Sequence, residues 1–329
     1  MFYKKFATLA LISFSLLVFA CESAEENVTE VVTQENNTTE IAIENESVEK
    51  INVLATTPMI AEYVRQVGND NIDLNILMPY SADPHSFEAS PQDAKKIADA
   101  DLVFYVGLKY ESANLVELLE NSVSSEDILI EIGPSINPIE FSEEGHDDHE
   151  GHDDHEGHNH GEFDPHYWLS AQNGKIMAVN IANALSEVDP DNSDYYMTNV
   201  SNFQASIDDI IPEIVALATP VSTKPFIPLH DGWYYYCAEF DLNIVDNFFP
   251  GGQHQSTPQH TVELTEKVAN LGVTAIFSEI GLDTSAIKGF AEDNDLTISE
   301  LDPLGGSPQI QRYQDLLLQN MKWINEGLK

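Results

Sequence analysis

Two stretches of strand–helix alternation, with a long purely helical stretch between them, constrain this 329-residue chain more than any other feature. In the first, INVLATT at 51–57 reads as a strand. Pro58 to Val67 reads as a helix with Ile60, Tyr63, Val64 and Val67 along one face, and IDLNILM at 72–78 as a second strand. Ser90-Pro91-Gln92-Asp93 opens a helix to about Ala100: Ser90 caps, Pro91 suits the first turn and Asp93 favours the positive helix end. Strands follow at 102–106 and 128–132. Residues 171–187 and 193–217 read as helices, with Pro190 stopping the first and Pro212 expected to kink or end the second. The second alternation places strands at 225–229, 242–249, 275–278 and 296–301. Its helices are expected at 232–240, 257–271, 283–293 and 313–328. Such a pattern predicts an α/β fold of two lobes, each a small parallel sheet flanked by helices, joined by a long connecting helix. The expected boundaries are 50–190 for the first lobe, 191–218 for the connecting helix and 219–329 for the second lobe.

Residues 1–21 read as an export signal. Lys4 and Lys5 are its positive region, Phe6 to Phe19 its apolar stretch, which is short for a membrane span, and Val18-Phe19-Ala20-Cys21 resembles a lipobox. Cys21 is the expected lipidation site, with Phe19 an unusual residue inside such a box and a plain secretory signal the alternative. Residues 22–49 read as a disordered tether carrying N-x-Ser/Thr sequons at Asn27, Asn36, Asn37 and Asn45. Cys237, the only other cysteine, lies in an apolar-aromatic stretch and is expected to be a buried inert thiol.

The chain carries a formal net charge of −42, and no Lys or Arg occurs between Lys109 and Lys175. Such a surface repels nucleic acid and gathers cations. Inside that acidic span lies GHDDHEGHDDHEGHNHGE, with His146, His149, His152, His155, His158 and His160. Imidazoles and carboxylates at this density suit loose binding of several divalent metal ions, and the run has no apolar residue with which to order itself. The loop is expected at 143–161. An acidic linker with incidental histidines is the plainer reading.

A tight site needs ligands elsewhere. His85 follows the strand at 72–78, His166 precedes the helix at 171, His230 follows the strand at 225–229 and Asp302 follows the strand at 296–301. Ligands of parallel α/β sheets bind outside the carboxyl ends of strands. Only the fold can bring these four together, and a lone loop histidine is more often solvated.

ADPHSFEASPQDAKKIADADLVFYVGLKYE at 82–111, DPHYWLSAQNGKIMAVNIANAL, LHDGWYYYCAEFDL and LDPLG at 301–305 resemble, in this order, the four ligand segments of the zinc- and manganese-binding solute receptors of ABC transporters. The resemblance spans the chain from about residue 51, with the His-rich loop where zinc members carry one. It implies a two-lobed clamp with the metal in the inter-lobe cleft, held by His85 and His166 from the first lobe and His230 and Asp302 from the second. It implies no catalysis. Manganese-selective members have a carboxylate where His230 stands, so three imidazoles favour Zn²⁺. Asp302 is the ligand that water replaces in some zinc members. Glu279 is a weaker candidate ligand, against a hydrogen-bonding role. His254 and His260 are expected at the surface, and Trp168, Trp233 and Tyr234 in the cleft wall.

The expectation is therefore a monomeric, lipid-anchored extracytoplasmic receptor that captures Zn²⁺ and hands it to an ABC permease. A manganese or iron receptor of the same family is one alternative. A zinc hydrolase with Asp302 as base is another, though the chain has no H-E-x-x-H. A metal buffer or adhesin working without a permease is the third.

Overall fold

The structure is a computed structural model that describes residues 50–80, 82–84, 87–141, 163–249, 256–282, 284–307 and 309–329. The first lobe contains β1 (Ile51–Ala55), α1 (Pro58–Gly68), β2 (Ile72–Ile76), α2 (Pro91–Ala98), β3 (Leu102–Tyr105), α3 (Ala113–Ser122) and β4 (Leu129–Glu131). Its four strands are all parallel, in the order β2-β1-β3-β4. Two helices follow, α4 (Ala171–Val188) and α5 (Ser193–Ala218). The second lobe contains β5 (Pro225–Pro228), α6 (Tyr234–Phe240), β6 (Asn243–Ile244), α7 (Pro258–Leu271), β7 (Ala275–Glu279), α8 (Ser285–Asp293), β8 (Thr297–Leu301) and α9 (Tyr313–Gly327). Its sheet repeats the topology, β6-β5-β7-β8, again all parallel. The α/β fold class expected from the alternation is the one observed.

Local chemistry sets the helix starts. Thr57 Oγ accepts from Ile60 N at 3.2 Å and Pro58 opens α1. At α2 the Asp93 carboxylate accepts from both the backbone N–H and the hydroxyl of Ser90, at 2.9 and 2.7 Å. Ser112, Ser170 and Thr257 cap α3, α4 and α7 in the same manner as Thr57.

α5 runs through Pro212, where the helix was expected to kink or end, without ending there. Pro212 is exposed, so the carbonyl it frees one turn earlier lies on the solvent side and the helix continues. The expected strand at 242–249 is regular over only Asn243–Ile244. Beyond it the chain still follows β5, with Phe248 N donating to Pro228 O and Phe249 N to Leu229 O. Asp246 Oδ1 accepts from Asn247 N at 2.8 Å, a local turn bond that competes with the ladder. α3 is a helix absent from the expectations above.

One hydrophobic cluster passes through both lobes. It joins Val53, Phe104 and Tyr63 of the first lobe to Phe226, Phe277 and Leu301 of the second through α4, α5 and α9. Separate clusters cover the opposite face of each sheet. Polar bonds fasten the seam. Trp168 Nε1 donates to Pro303 O at 2.8 Å, and the Tyr313 hydroxyl lies 2.9 Å from the carbonyls of Trp168 and Ser170. Burial of aromatic bulk here holds the lobes as one body, because each of Trp168, Tyr313 and Tyr63 loses nearly all its exposed surface.

Candidate metal centre

In each sheet the strand order reverses beside the first strand, between β1 and β3 and between β5 and β7. A crevice opens there at the carboxyl ends of the strands. In the first lobe Glu111 fills it. Its Oε1 accepts from Thr56 Oγ and Val106 N, both at 2.8 Å, and Oε2 accepts from Gly107 N at 3.1 Å. Burial raises the pKa of this carboxyl, against the opposing effect of those three donors.

In the second lobe the crevice holds His230, one residue past Leu229, and Glu279, the last residue of β7. His230 Nδ1 lies 2.6 Å from Glu279 Oε1, and the same oxygen accepts from Trp233 Nε1 at 3.0 Å. The carboxylate therefore fixes the Nδ1–H tautomer and turns Nε2 toward the cleft. His166, at the entry to the 3-10 turn Tyr167–Leu169, is held in the same way. Its Nδ1 and its backbone N both lie 2.8 Å from Asp164 Oδ1. Asp164 is wholly buried, which pushes its pKa well up, against the His166 backbone donor.

The two Nε2 atoms meet across the lobes at 3.1 Å. Two bare lone pairs repel at that distance, so the contact suits a proton or a cation placed between the two nitrogens. Of the two rings, His230 has a pKa displaced upward. Burial acts to lower the His230 pKa, but Glu279, Asp231 and Asp164 outweigh it and raise it to about 9. With His230 protonated, Nδ1 donates to Glu279 and Nε2 to His166.

Gly232 explains how the rings come so close. A Cβ there would lie 2.5 Å from His230 Nε2 and 3.0 Å from His166 Cδ2. Tyr110 and Trp168 wall the other side, with ring centroids 5.6 and 5.2 Å from that of His166.

Asp302 follows β8 and is almost fully buried. Leu304 N and Gly305 N donate to its Oδ1 at 2.9 and 2.8 Å, and its own N–H donates to Asn320 Oδ1. Oδ2 is buried with no hydrogen-bond partner among the described residues. Burial raises the pKa of this carboxyl, opposed by the two backbone donors and reinforced by Glu279 and Glu300. A buried carboxylate oxygen without a donor is costly unless something else satisfies it.

The structure thus brings His166 and His230 into contact and places Glu279 and Asp302 at neighbouring strand ends. Glu279 meets the histidine on the Nδ1 side, away from Nε2. Among the described residues no group of three or more His, Cys, Asp or Glu side chains is arranged to hold a metal ion. His85 lies outside the described residues, as do His254, Cys21 and the loop histidines 146, 149, 152, 155, 158 and 160. His260 is partly buried, its Nε2 2.9 Å from Asn247 O. Trp168 and Trp233 are buried in the wall, and burial pushes the Cys237 thiol far up. Asp164, Gly232 and Glu111 lie inside the quoted segments without having drawn notice. An acid two residues before a histidine was the one available signal, in Asp164-Pro165-His166.

Fold and site together define a two-lobed α/β binding protein with paired imidazoles facing one another across its cleft. Residues 53–327 match the family described as zinc-uptake complex component A, periplasmic, and the chain belongs to that family. Its members are solute-binding proteins of ABC transporters and not enzymes. The chain is 26% identical to the manganese ABC transporter substrate-binding lipoprotein PsaA of Streptococcus pneumoniae, over 99% of both chains. It is 27% identical to the metal ABC transporter substrate-binding lipoprotein ScbA of Streptococcus cristatus, over 85% of this chain and 89% of that one. The fold superposes on a crystal structure of ZnuA with a TM-score of 0.73 at 23% identity, covering 85% of this chain and 100% of that one. A manganese-bound periplasmic metal-binding protein from Candidatus Liberibacter asiaticus gives 0.71 at 22% identity, with the same coverage.

Proposed function

We propose that this chain is an extracytoplasmic lipoprotein that captures Zn²⁺ in the inter-lobe cleft and delivers it to an ABC permease. The observation that carries the reading is the 3.1 Å approach of His166 Nε2 to His230 Nε2, each ring oriented by a buried carboxylate on its Nδ1. Carboxylate–histidine pairs of this kind prepare a neutral imidazole for a metal. In the proposed site His85, His166 and His230 supply nitrogen, and Asp302 supplies the otherwise unpartnered Oδ2. Glu279 serves as the hydrogen-bond acceptor of His230. A donor set of three imidazoles and one oxygen suits four-coordinate Zn²⁺ better than oxygen-seeking Mn²⁺.

The lipoprotein names of PsaA and ScbA support an anchor at Cys21, with residues 22–49 as the tether. No helix among the described residues is long and apolar enough to cross a membrane. The His-rich loop at 143–161 is the proposed collector that loads the cleft.

A manganese receptor is the second reading, favoured by the manganese named in PsaA. Metal content of the protein purified without added metal, followed by chelator competition with Zn²⁺ and Mn²⁺, separates the two. Zinc at one tight equivalent, lost in His230→Ala, is the expected result. Tight binding unchanged in His230→Ala rejects the site, and a preference for Mn²⁺ under equal competition rejects the metal.

A further inference from the structure

Asn320 lies in the middle of α9 with no exposed surface, among Leu316, Leu317, Met321 and Ile324. A buried amide costs stability unless its polar atoms are paired. Those of Asn320 are paired, and their partner is Asp302. Its Oδ1 accepts from Asp302 N at 2.9 Å. Its Nδ2 donates to Asp302 O at 2.8 Å and to Leu316 O, one turn earlier on α9, at 3.0 Å. One side chain thus grips both backbone polar groups of Asp302.

The carboxylate of Asp302 is fixed as firmly as its backbone. A carboxylate oxygen has two lone pairs, and the N–H groups of Leu304 and Gly305 occupy both on Oδ1. The turn that carries those donors is itself held. Gly305 and Gly306 have φ of +65° and +85°, a backbone shape that other residues rarely adopt. Gly306 N donates to Ile310 O at 2.8 Å, and Pro303 O accepts from Trp168 Nε1. A Cβ on Gly306 would press on Pro58 and Tyr80 at 3.2 and 3.3 Å. Only Oδ2 is left over, buried and without a hydrogen-bond partner among the described residues.

We propose that Asn320 is a positioning residue of the metal centre: it anchors Asp302 so that this residue presents one oxygen, Oδ2, and does not chelate through both. The inference rests on the reading of Asp302 as a ligand. A carboxylate confined to one oxygen suits an ion that takes four ligands, as Zn²⁺ does. Mn²⁺ favours six, mostly oxygen, and would gain from the second carboxylate oxygen. Asp302 can offer that oxygen only by leaving the N–H groups of Leu304 and Gly305 unpaired in a buried turn, or by a backbone shift that Asn320 resists. The preference between the two ions is thus set in part by a residue that touches neither.

The test uses the full chain, with Zn²⁺, Mn²⁺ and Co²⁺ as probes and Asn320→Leu, Asn320→Ala and Asp302→Ala as variants. Chelator competition gives the affinities. The visible spectrum of the Co²⁺ form reports coordination number, because four-coordinate Co²⁺ absorbs far more strongly than six-coordinate Co²⁺. The parent shows the intense four-coordinate bands, and Asp302→Ala weakens zinc. Asn320→Leu weakens zinc by on the order of 10–100-fold. It weakens Mn²⁺ less, so the Zn/Mn affinity ratio falls by about tenfold and the Co²⁺ bands dim. Asn320→Ala, which leaves room for water in place of the amide, falls between the parent and Asn320→Leu. Melting curves of the metal-free variants show that they fold.

A residue that only stabilises the fold would lower the melting temperature and leave both the Zn/Mn ratio and the Co²⁺ spectrum unchanged, and that result overturns the proposal. Weak six-coordinate bands in the parent overturn it without any variant. Zinc affinity unchanged in Asp302→Ala overturns it together with the place of Asp302 in the proposed donor set. Weakened zinc in Asp302→Ala, with no change of ratio or spectrum in either Asn320 variant, removes the role of Asn320 alone.

Discussion

Replacing Glu279 by Gln removes one charge and keeps the shape that receives the His230 N–H. Glu279 is foremost among the groups that raise the His230 pKa to about 9, against burial, which lowers it. A metal ion needs the Nε2 lone pair, so with His230 protonated zinc must displace that proton. At pH 7 that proton is held about two units below its pKa, which costs about 2.7 kcal/mol, or roughly 100-fold in apparent affinity. The sign follows directly: the parent's zinc affinity rises with pH, about tenfold per unit, until the pH reaches the His230 pKa near 9. In Glu279→Gln the pKa falls toward the ordinary imidazole value of about 6.5, and the rise flattens correspondingly earlier.

Chelator competition from pH 6 to 9.5 measures the slope. Calorimetry in buffers of different ionisation enthalpy counts the protons. About one proton should leave His230 per zinc bound to the parent at pH 7.5, and a smaller fraction in the variant. The absolute affinity of the variant at pH 7 also reflects the lost orientation of the ring, typically a 10–100-fold effect, so the slope decides. Equal slopes between pH 7 and 9 in parent and variant would refute the placement of that proton on His230.

The metal-free protein should lose stability as pH rises. A folded-state pKa of about 9 against about 6.5 unfolded gives stability that is full below pH 6.5 and gone above pH 9, about 3 kcal/mol in all; denaturant melts at pH 6.5 and 9.5 check it, and no change rejects it. Gly232→Ala puts a methyl group against both imidazoles and should weaken zinc by on the order of 10–100-fold with the fold retained, read by competition and circular dichroism. Deleting 143–161 should remove the weak zinc equivalents, which fade below a pH of about 6.5, and leave the cleft equivalent; loss of the tight equivalent in calorimetry contradicts the division into collector and cleft.

The parallel sheets were legible because short apolar runs alternate with amphipathic helices, and β7, buried at all five positions, reads as an unbroken apolar run until its final Ser-Glu. β6 was overread because Asp246 and Asn247 divert the backbone within an apolar segment, and Val245 to Phe249 look the same in sequence whether or not they form a ladder. α3 was missed although Ser112 caps it and Leu115 and Leu119 are one turn apart, a pattern as good as that of α2 without the proline. The four-segment resemblance pointed to the histidines. It did not say which nitrogen each presents, since that depends on partners brought by other strands. Glu279 reaches His230 because β7 lies beside β5, a neighbour relation invisible along the chain. Gly232 is recognisable only once both rings are in place.

The contact between the imidazoles has one further consequence for how binding is coupled to the lobes. His166 lies between the first sheet and α4 and His230 follows β5 of the second sheet, so a proton shared by their Nε2 atoms would tie the two halves of the chain together. In the proposed function Zn²⁺ takes the place of that proton, and the two ions are alternative ways of joining the same pair of atoms. A nitrogen–nitrogen contact of 3.1 Å is too short to admit a metal between the rings at Zn–N distances of about 2.0–2.1 Å unless the three atoms are far from collinear or the rings part. Tetrahedral angles at the ion set the nitrogens about 3.3–3.4 Å apart, so the rings need separate by only a few tenths of an ångström. The seam that resists larger movement is the Trp168–Pro303 and Tyr313–Trp168 bonding beside the site. In the proposed function, metal capture therefore calls for the two rings to separate by only a few tenths of an ångström and needs no wide opening of the two lobes.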